Sequence, residues 1–126
     1  MRVSAKALII RDGRMLAIQM HDTDGEFYIM PGGGQEAGEL LPAAVEREVL
    51  EETGHTVRVR DVAFVIEGAQ GEKDHRVDIV FACDDLSTGG IVSHPDSNQV
   101  GHAWLELTSL NRAPLYPSRL RRAIKD

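Results

Sequence analysis

The chain has 126 residues, a size that suits one domain around one hydrophobic core. Its formal net charge is -6 at pH 7, and this excess of acid argues against a protein that binds nucleic acid polymers through their phosphates. No apolar run is long enough for a signal peptide or a membrane span. We therefore expect a cytoplasmic protein with neither a nucleic acid nor a membrane as its partner.

The first part of the chain predicts a β-hairpin. Val3 to Ile10 is typical of a strand, Asp12-Gly13 is a strong hairpin-turn signal, and Met15 to Met20 is the returning strand. His21 to Glu26 is polar and is predicted to be a loop. Phe27 to Met30 is a short apolar run that ends before a proline.

A helix is predicted after the glycine-rich segment 31–34. Pro42 fits only in the first turn of that helix, because its missing N–H has no helical partner there. Gly54 lies where a left-handed helix stop is expected.

The second part of the chain predicts strands separated by polar loops and a short helix at the end. The strands are Val57 to Ile66, Val77 to Cys83 and a final strand at Ala103 to Leu107; the loops are Glu67 to His75 and Asp84 to Gln99; the helix is Pro117 to Ile124. Hairpins combined with two helices favour an α/β or α+β layered fold. The single cysteine, Cys83, lies in an apolar run, so we expect a buried residue and not a catalytic thiol.

Three carboxylates, Glu48, Glu51 and Glu52, lie on the predicted helix within an arc of about 100°. Acids on a helix usually form a solvated face. Here the same arc contains three apolar residues from the start of the helix: Leu41, Ala44 and Val45. The carboxylates thus continue the stripe expected to face the core, although Leu50 on the opposite side leaves open a helix covered on both faces.

Like charges at this spacing repel each other, and a divalent cation bound through oxygen ligands would offset the repulsion. Arg47 precedes Glu51 by four positions and can pair with it, but one arginine cannot neutralise three acids. Glu39 lies just before the helix, either as an acid stabilised by the helix dipole or as a fourth acidic group of the same site.

The stretch from Gly33 to His55 resembles the Nudix box: a glycine, five residues, a glutamate, seven residues, then Arg-Glu-aliphatic-any-Glu-Glu-any-Gly-aliphatic. The chain supplies eight of these positions in register: Gly33, Glu39, Arg47, Glu48, Val49, Glu51, Glu52 and Gly54. His55 departs from the pattern because the family prefers an aliphatic residue there, a change that concerns local packing more than chemistry. The similarity extends over nearly the whole chain, with Tyr28 at a position where tryptophan is frequent.

The resemblance implies an α/β/α sandwich with a mixed β-sheet between helices, formed by residues 1–126 as a single domain. It implies an Mg2+-dependent hydrolase, with Mn2+ as a possible substitute, that cleaves the diphosphate linkage of nucleoside diphosphate derivatives. The implied site residues are Glu48 and Glu52 as metal ligands, Glu51 as a metal ligand or general base, Arg47 as the residue that holds Glu51, Glu39 as a group that orients the nucleophile or binds metal through water, and Gly33 as a contact of the substrate. Tyr28 is a candidate for stacking on the base of the substrate, with a core role as the more frequent alternative for a large aromatic residue.

Several alternatives stay open at this point. The substrate is a small nucleotide, either ADP-ribose-like or an ordinary or oxidised nucleoside triphosphate, and a homodimer is compatible with the sequence. Many family members add an acid from the loop before the final tryptophan, where this chain has Asp96 and Gln99, so no base is assigned to that loop. A non-catalytic nucleotide-binding or regulatory module is the alternative function, and a structural protein with an acidic helix is a third.

Overall fold

The computed structural model describes residues 2–68, 75–86, 99–116 and 124. The strands are β1 (Arg2–Arg11), β2 (Arg14–Asp22), β3 (Gly25–Ile29), β4 (Gly32–Gly33), β5 (Val57–Gly68), β6 (Arg76–Asp85), β7 (Gln99–Glu106) and β8 (Leu115–Tyr116). An α-helix, α1, spans Leu41–Thr53, and a 3-10 helix spans Leu107–Arg112. No helix of the described ranges is long and apolar enough to cross a membrane.

The strands form a mixed sheet in the order β5-β6-β1-β2-β3-β8, with β4 added beside β1 and β7 beside β2. β1 runs parallel to β6 and antiparallel to β4. β1 and β2 pair only next to their hairpin turn, at Ile10 with Met15 and Arg11 with Arg14. The sheet therefore separates beyond the hairpin into two parts, one containing β1, β4, β5 and β6 and the other β2, β3, β7 and β8. This mixed sheet with a helix packed on it confirms the predicted α/β class.

Two apolar cores lie on opposite faces of β1. Ala5, Ala7 and Ile9 pack with Val45 and Val49 of α1 in the first core. The half-buried Leu8 and Tyr28 lie at the edge of the second core. Its buried residues come from several elements: Met15, Met30, Ile66, Val80, Leu110 and Leu115. Because successive strand residues point to opposite faces, β1 can supply both cores.

The termini of α1 agree with the sequence prediction. Pro42 lies in the first turn, and Gly54 closes the helix with a left-handed φ of 76° while its N–H donates to the carbonyl oxygen of Leu50. The Leu50 side chain is exposed, so within the described residues α1 is covered on one face only. Cys83 is buried, as predicted, and burial raises the pKa of its thiol to about 12.

The predicted loop at His21 to Glu26 is wrong, because these residues form a second hairpin. β2 continues through His21 and Asp22, which pair with Glu26 and Gly25 of β3. Asp22 Oδ1 accepts a hydrogen bond of 2.9 Å from the N–H of Asp24, which stabilises the turn. The polar composition reflects exposed side chains at the end of the sheet, whereas strand pairing uses only the backbone.

Backbone pairing also carries other strands into predicted loops. β5 includes Glu67 and Gly68, and β6 includes Asp84 and Asp85. β7 begins at Gln99 and ends at Glu106, so the predicted strand at Ala103 to Leu107 was too short, and β8 follows it as a later strand. The rest of the predicted loops, 69–74 and 87–98, and the predicted helix at Pro117 to Ile124 lie outside the described residues, except that Ile124 is helical.

Gly32 brings β4 into close contact with β1. Its φ is 135°, a value that L side chains rarely adopt, and a Cβ there would lie 2.2 Å from the carbonyl oxygen of Ala5 and 2.8 Å from Cα of Lys6. Only glycine therefore permits this pairing.

We expect Gly32→Ala to reduce the free energy of unfolding by about 3 kcal/mol or more, because backbone strain and steric overlap add. Gly34→Ala is the matched control, since its Cβ would meet nothing within 4 Å. Urea denaturation monitored by circular dichroism measures both, and equal stability of the two variants would contradict the close contact.

Candidate active site

Glu52 is the acidic residue buried on the inward face of α1. It is 4% exposed and lies on the same face of the helix as the buried Val45 and Val49. Its Oε1 accepts a hydrogen bond of 2.9 Å from the backbone N–H of Gly32. The short strand β4 therefore fixes this carboxylate against the sheet, as the azimuth of the helix stripe predicted for Glu52.

Glu48 and Glu51 lie at the edge of the same face, with side chains 20% and 32% exposed. Gly33 leaves room for the first of them, because a Cβ there would lie 3.0 to 3.1 Å from the atoms of the Glu48 carboxylate. Gly33 thus lets a carboxylate approach the backbone closely. The three glutamates form a graded set, from buried at Glu52 to partly exposed at Glu51.

Arg47 lies among the carboxylates and connects them. Its Nε and Nη2 donate to the two oxygens of Glu39 at 2.8 and 3.0 Å. Its Nη1 donates to Glu48 at 3.1 Å and to Glu51 at 3.2 Å. Nε also lies 3.0 Å from an oxygen of Glu36. One guanidinium therefore contacts four carboxylates, and its planar arrangement of donors sets their relative positions.

Glu39 belongs to this cluster and not only to the helix terminus. Hydrogen bonds from Arg47, then the backbone N–H of Glu36, hold the pKa of Glu39 below its usual value. The hydrogen bonds to Glu39 in turn raise the pKa of Arg47. Sequence reasoning missed Glu36, because it lies in the loop before α1, where no helical spacing relates it to Arg47.

The cluster is an ion-paired arrangement. Within residues 2–68, 75–86, 99–116 and 124, no three His, Cys, Asp or Glu side chains converge closely enough to hold a metal ion as they stand. Arg47 occupies oxygens of Glu48 and Glu51 that face the same region. The carboxylates predicted as ligands are thus gathered on one face, with the arginine between two of them.

The other predicted site residues lie elsewhere or outside the described part. Tyr28 is half-buried against the second core, and its backbone N–H donates to the carbonyl oxygen of Pro114. Gln99 pairs with Met20 through its backbone in β7, and Asp96 lies outside the described residues. The described contacts of Tyr28 are those of a packing residue.

His55 fills its buried position with polar contacts where the Nudix pattern has an aliphatic residue. Its Nδ1 lies 3.0 Å from Asp85 Oδ2, and that oxygen lies 2.8 Å from Nη2 of Arg11. The His55 ring makes edge contacts with Trp104 and His102, each with ring centres 5.8 Å apart. The departure therefore ties the end of α1 to β1, β6 and β7. Burial and the neighbouring His55 lower the pKa of His102.

Comparisons with known proteins agree with this geometry. The NUDIX domain model matches residues 1–126. The chain is 33% identical over 125 residues to a MutT-like protein of Streptomyces ambofaciens, covering 97% of this chain and 76% of that protein. It is 28% identical over 126 residues to an ADP-ribose pyrophosphatase of Methanocaldococcus jannaschii, covering 98% and 71%.

A third relative is much longer than this chain. The putative nudix hydrolase 1 of Caenorhabditis elegans is 34% identical over 112 residues, which are 84% of this chain but 29% of that protein. Among solved structures, a NUDIX hydrolase from Nitrosomonas europaea has a TM-score of 0.85 at 21% identity, covering 98% of this chain and 86% of that one. At this identity the structural likeness establishes the fold.

The fold and the site define an α/β protein with an acidic helix packed on a mixed sheet, the architecture of a phosphoanhydride hydrolase. The chain belongs to the Nudix hydrolase family, since the family model spans it from end to end.

Removing the guanidinium should destabilise the protein in a pH-dependent way. The lowered pKa of Glu39 means that its contribution to stability is present above its usual value of 4.5 and is lost as the pH falls through the folded-state value. We therefore expect Arg47→Met to lower Tm by several degrees at pH 7, and by less below pH 4.5.

Arg58→Met serves as the control, because it removes the same charge from an exposed position of β5. Thermal unfolding from pH 3 to pH 8 measures the difference for both variants. A loss in Arg47→Met that is constant across this range would contradict the role of the carboxylate cluster.

Proposed function

We propose that the protein is an Mg2+-dependent hydrolase that cleaves the diphosphate linkage of nucleoside diphosphate derivatives by attack of water on phosphorus. The observation that carries the proposal is the set of three glutamates on one face of α1, where Glu52 is held by the Gly32 N–H and Glu48 and Glu51 are held by Arg47. Membership of the Nudix family supports the reaction class.

The donor chemistry of the residues present fits a hard divalent cation, and the side chains around Arg47 would have to rearrange for three carboxylates to reach one ion. The donors are carboxylate oxygens, the ligands that Mg2+ prefers, and the missing side chain of Gly33 leaves space beside Glu48 that a Cβ would fill. Glu48 and Glu52 would hold the ion, with Glu51 as a further ligand or as the base. When bound, Mg2+ supplies charge neutralisation of the diphosphate and a more acidic bound water.

Glu51 is our candidate for the general base, because it is the most exposed of the three glutamates and can reach a water molecule at the edge of α1. In the reaction, the water oxygen forms a bond to phosphorus and the bond from that phosphorus to the bridging oxygen breaks. The proton of water passes to the carboxylate, and the bridging oxygen leaves with the departing phosphate.

Arg47 and Glu39 would act by positioning. The guanidinium fixes one oxygen of Glu51, so the other oxygen has a defined direction toward the attacking water. Glu39 binds Arg47 through both of its oxygens and so limits the movement of the guanidinium. Arg47 and Glu39 would therefore orient the Glu51 carboxylate while leaving its second oxygen free to accept the proton.

The substrate is a small nucleotide, and two classes are the candidates. One relative is named an ADP-ribose pyrophosphatase, and the family resemblance also implies ordinary or oxidised nucleoside triphosphates, so both classes form the first panel to test. Both classes present a phosphoanhydride joined to a nucleoside. Four further statements stay predictions from the sequence: a single domain over residues 1–126, a cytoplasmic location, the absence of nucleic acid and membrane partners, and a homodimer.

A non-catalytic nucleotide-binding module is the second candidate. The presence of every carboxylate of the box disfavours it, because loss of these groups would be expected in a protein that only binds. Product analysis with the panel distinguishes the two, since a binding module would bind a nucleotide without releasing phosphate products.

We expect Glu52→Gln to lower kcat by about 100-fold or more, because the amide removes the charge that helps hold the cation. Glu46→Gln is the matched control on the same helix, where Glu46 accepts a hydrogen bond from the N–H of Val59, away from the cluster. Phosphate release with the best substrate measures both. Equal activity of the two variants, with unchanged folding, would refute a role for Glu52 in the reaction.

Removal of divalent cations should abolish turnover while leaving the fold intact. We expect activity to disappear in EDTA and to return with Mg2+ or Mn2+, whereas Ca2+ restores little because its larger, flexible coordination fits the site less well. Circular dichroism in EDTA checks the fold. Full activity in EDTA would contradict a metal-dependent reaction.

A further inference from the structure

A second polar group lies across the sheet from α1 and plays no part in the acidic cluster. Asp78 on β6 is 3% exposed, and its Oδ1 has no hydrogen-bond partner among the described residues. Its other oxygen lies 3.6 Å from Nη2 of Arg76, which is a long ion pair. A buried carboxylate oxygen without a donor is costly, so a fold that retains one calls for an explanation.

Lys6 lies next to this carboxylate. On β1, Ser4 is the register partner of Asp78, and Lys6 is the next residue on the same face. This is the face of Leu8 and the second core, opposite α1. The Lys6 side chain is half-buried, and none of the ion pairs among the described residues involves its ammonium.

Lys6 also connects this group to the active-site glutamates. On the β4 side of β1, the register partner of Lys6 is Gly32, the residue whose N–H donates to Glu52. Burial lowers the pKa of Lys6, while the charges of Asp78 and then Glu52 oppose that change. Lys6 therefore shares a sheet face with Asp78 and lies beside the edge strand β4, whose Gly32 N–H contacts Glu52.

We propose that Asp78 and Lys6 form the nucleoside end of the substrate site. Asp78 Oδ1 accepts a hydrogen bond from an N–H or O–H group of the nucleoside, and the Lys6 ammonium binds a non-bridging oxygen of the diphosphate. The assignment rests on the proposed hydrolase function and adds the residue that selects the nucleoside. The nucleoside would supply the hydrogen-bond donor that Asp78 Oδ1 lacks among the described residues, and the diphosphate would supply the anion that the Lys6 ammonium lacks there. Lys6 lies beside β4, on the side of the glutamates, so one bound nucleotide would place its diphosphate near Lys6 and its nucleoside near Asp78.

The test uses substrates that differ by one hydrogen-bond donor. The pairs are ADP-ribose with its analogue that carries unsubstituted purine in place of adenine, GTP with ITP, and GTP with dGTP, so a base amino group and a ribose hydroxyl are examined separately. We expect the wild type to prefer the donor-bearing member of one pair by about tenfold in kcat/KM. Asp78→Ala should raise KM for that member by about tenfold, leave kcat within about twofold, and remove the preference.

Asp61→Ala is the matched control, because it removes an exposed carboxylate from the neighbouring strand β5. Thermal unfolding gives a second readout. If Asp78 serves substrate binding, Asp78→Ala should leave the Tm of the protein unchanged. If Asp78 instead forms a structural ion pair, the same variant should lower the Tm. If Asp78→Ala does not fold, Asp78→Asn retains the shape and is expected to raise KM for the same substrate by a smaller factor.

Lys6→Met tests the diphosphate contact. We expect it to raise KM for every substrate by a similar factor, since all share the diphosphate, and to leave the preference between the paired substrates unchanged. A change in preference without a general rise in KM would overturn the assignment of Lys6.

The outcomes separate the two proposals. If the wild type releases product from none of these nucleotides with Mg2+, the hydrolase function fails and the nucleoside site fails with it. If the wild type is active but Asp78→Ala behaves like Asp61→Ala, or loses kcat equally on all substrates, only the assignment of Asp78 is refuted.

Discussion

The ion-paired cluster around Arg47 is the constraint on which the site depends. Glutamates at spacings of three and four on a helix repel each other, and here they are also brought against the sheet, where water can stabilise them less. A single guanidinium contacts Glu36, Glu39, Glu48 and Glu51 and offsets this repulsion. Glu52, the most buried of the three glutamates, is held instead by the backbone N–H of Gly32. The helix can therefore present several carboxylates in one direction and stay folded before any cation binds.

The two glycines of β4 make this arrangement possible on the side of the sheet. Gly32 has no Cβ to collide with β1, so β4 lies close enough to donate to Glu52. Gly33 leaves space for the Glu48 carboxylate. Glycine is thus required at Gly32 by close approach to β1, and at Gly33 it leaves room for Glu48. The segment from β4 to the start of α1 is part of the site because it carries both the backbone donor Gly32 and Glu39.

Much of this was predictable from the sequence, for identifiable reasons. The inward direction of Glu52 followed from helix periodicity, and the limits of α1 followed from Pro42 and Gly54, whose backbone preferences are local. Strand ends were predicted poorly because polar residues such as Asp22 and Glu67 pair through their backbones whatever their side chains. The contacts of Arg47 with Glu36, the network of His55, and the orphaned oxygen of Asp78 all join distant parts of the chain, and no local pattern encodes them.

The pairing of β1 between β4 and β6 separates chemistry from recognition. On one face, the acidic helix supplies groups that act on a phosphoanhydride, which many nucleotides share. On the other, Asp78 offers an acceptor to the nucleoside and Lys6 offers a cation to the diphosphate. Since Lys6 pairs opposite Gly32, the two sets of groups are connected through one residue of backbone. Changes on the β6 face could therefore alter which nucleoside is chosen while the carboxylates on α1 keep their positions, because the strand between them remains paired on both edges.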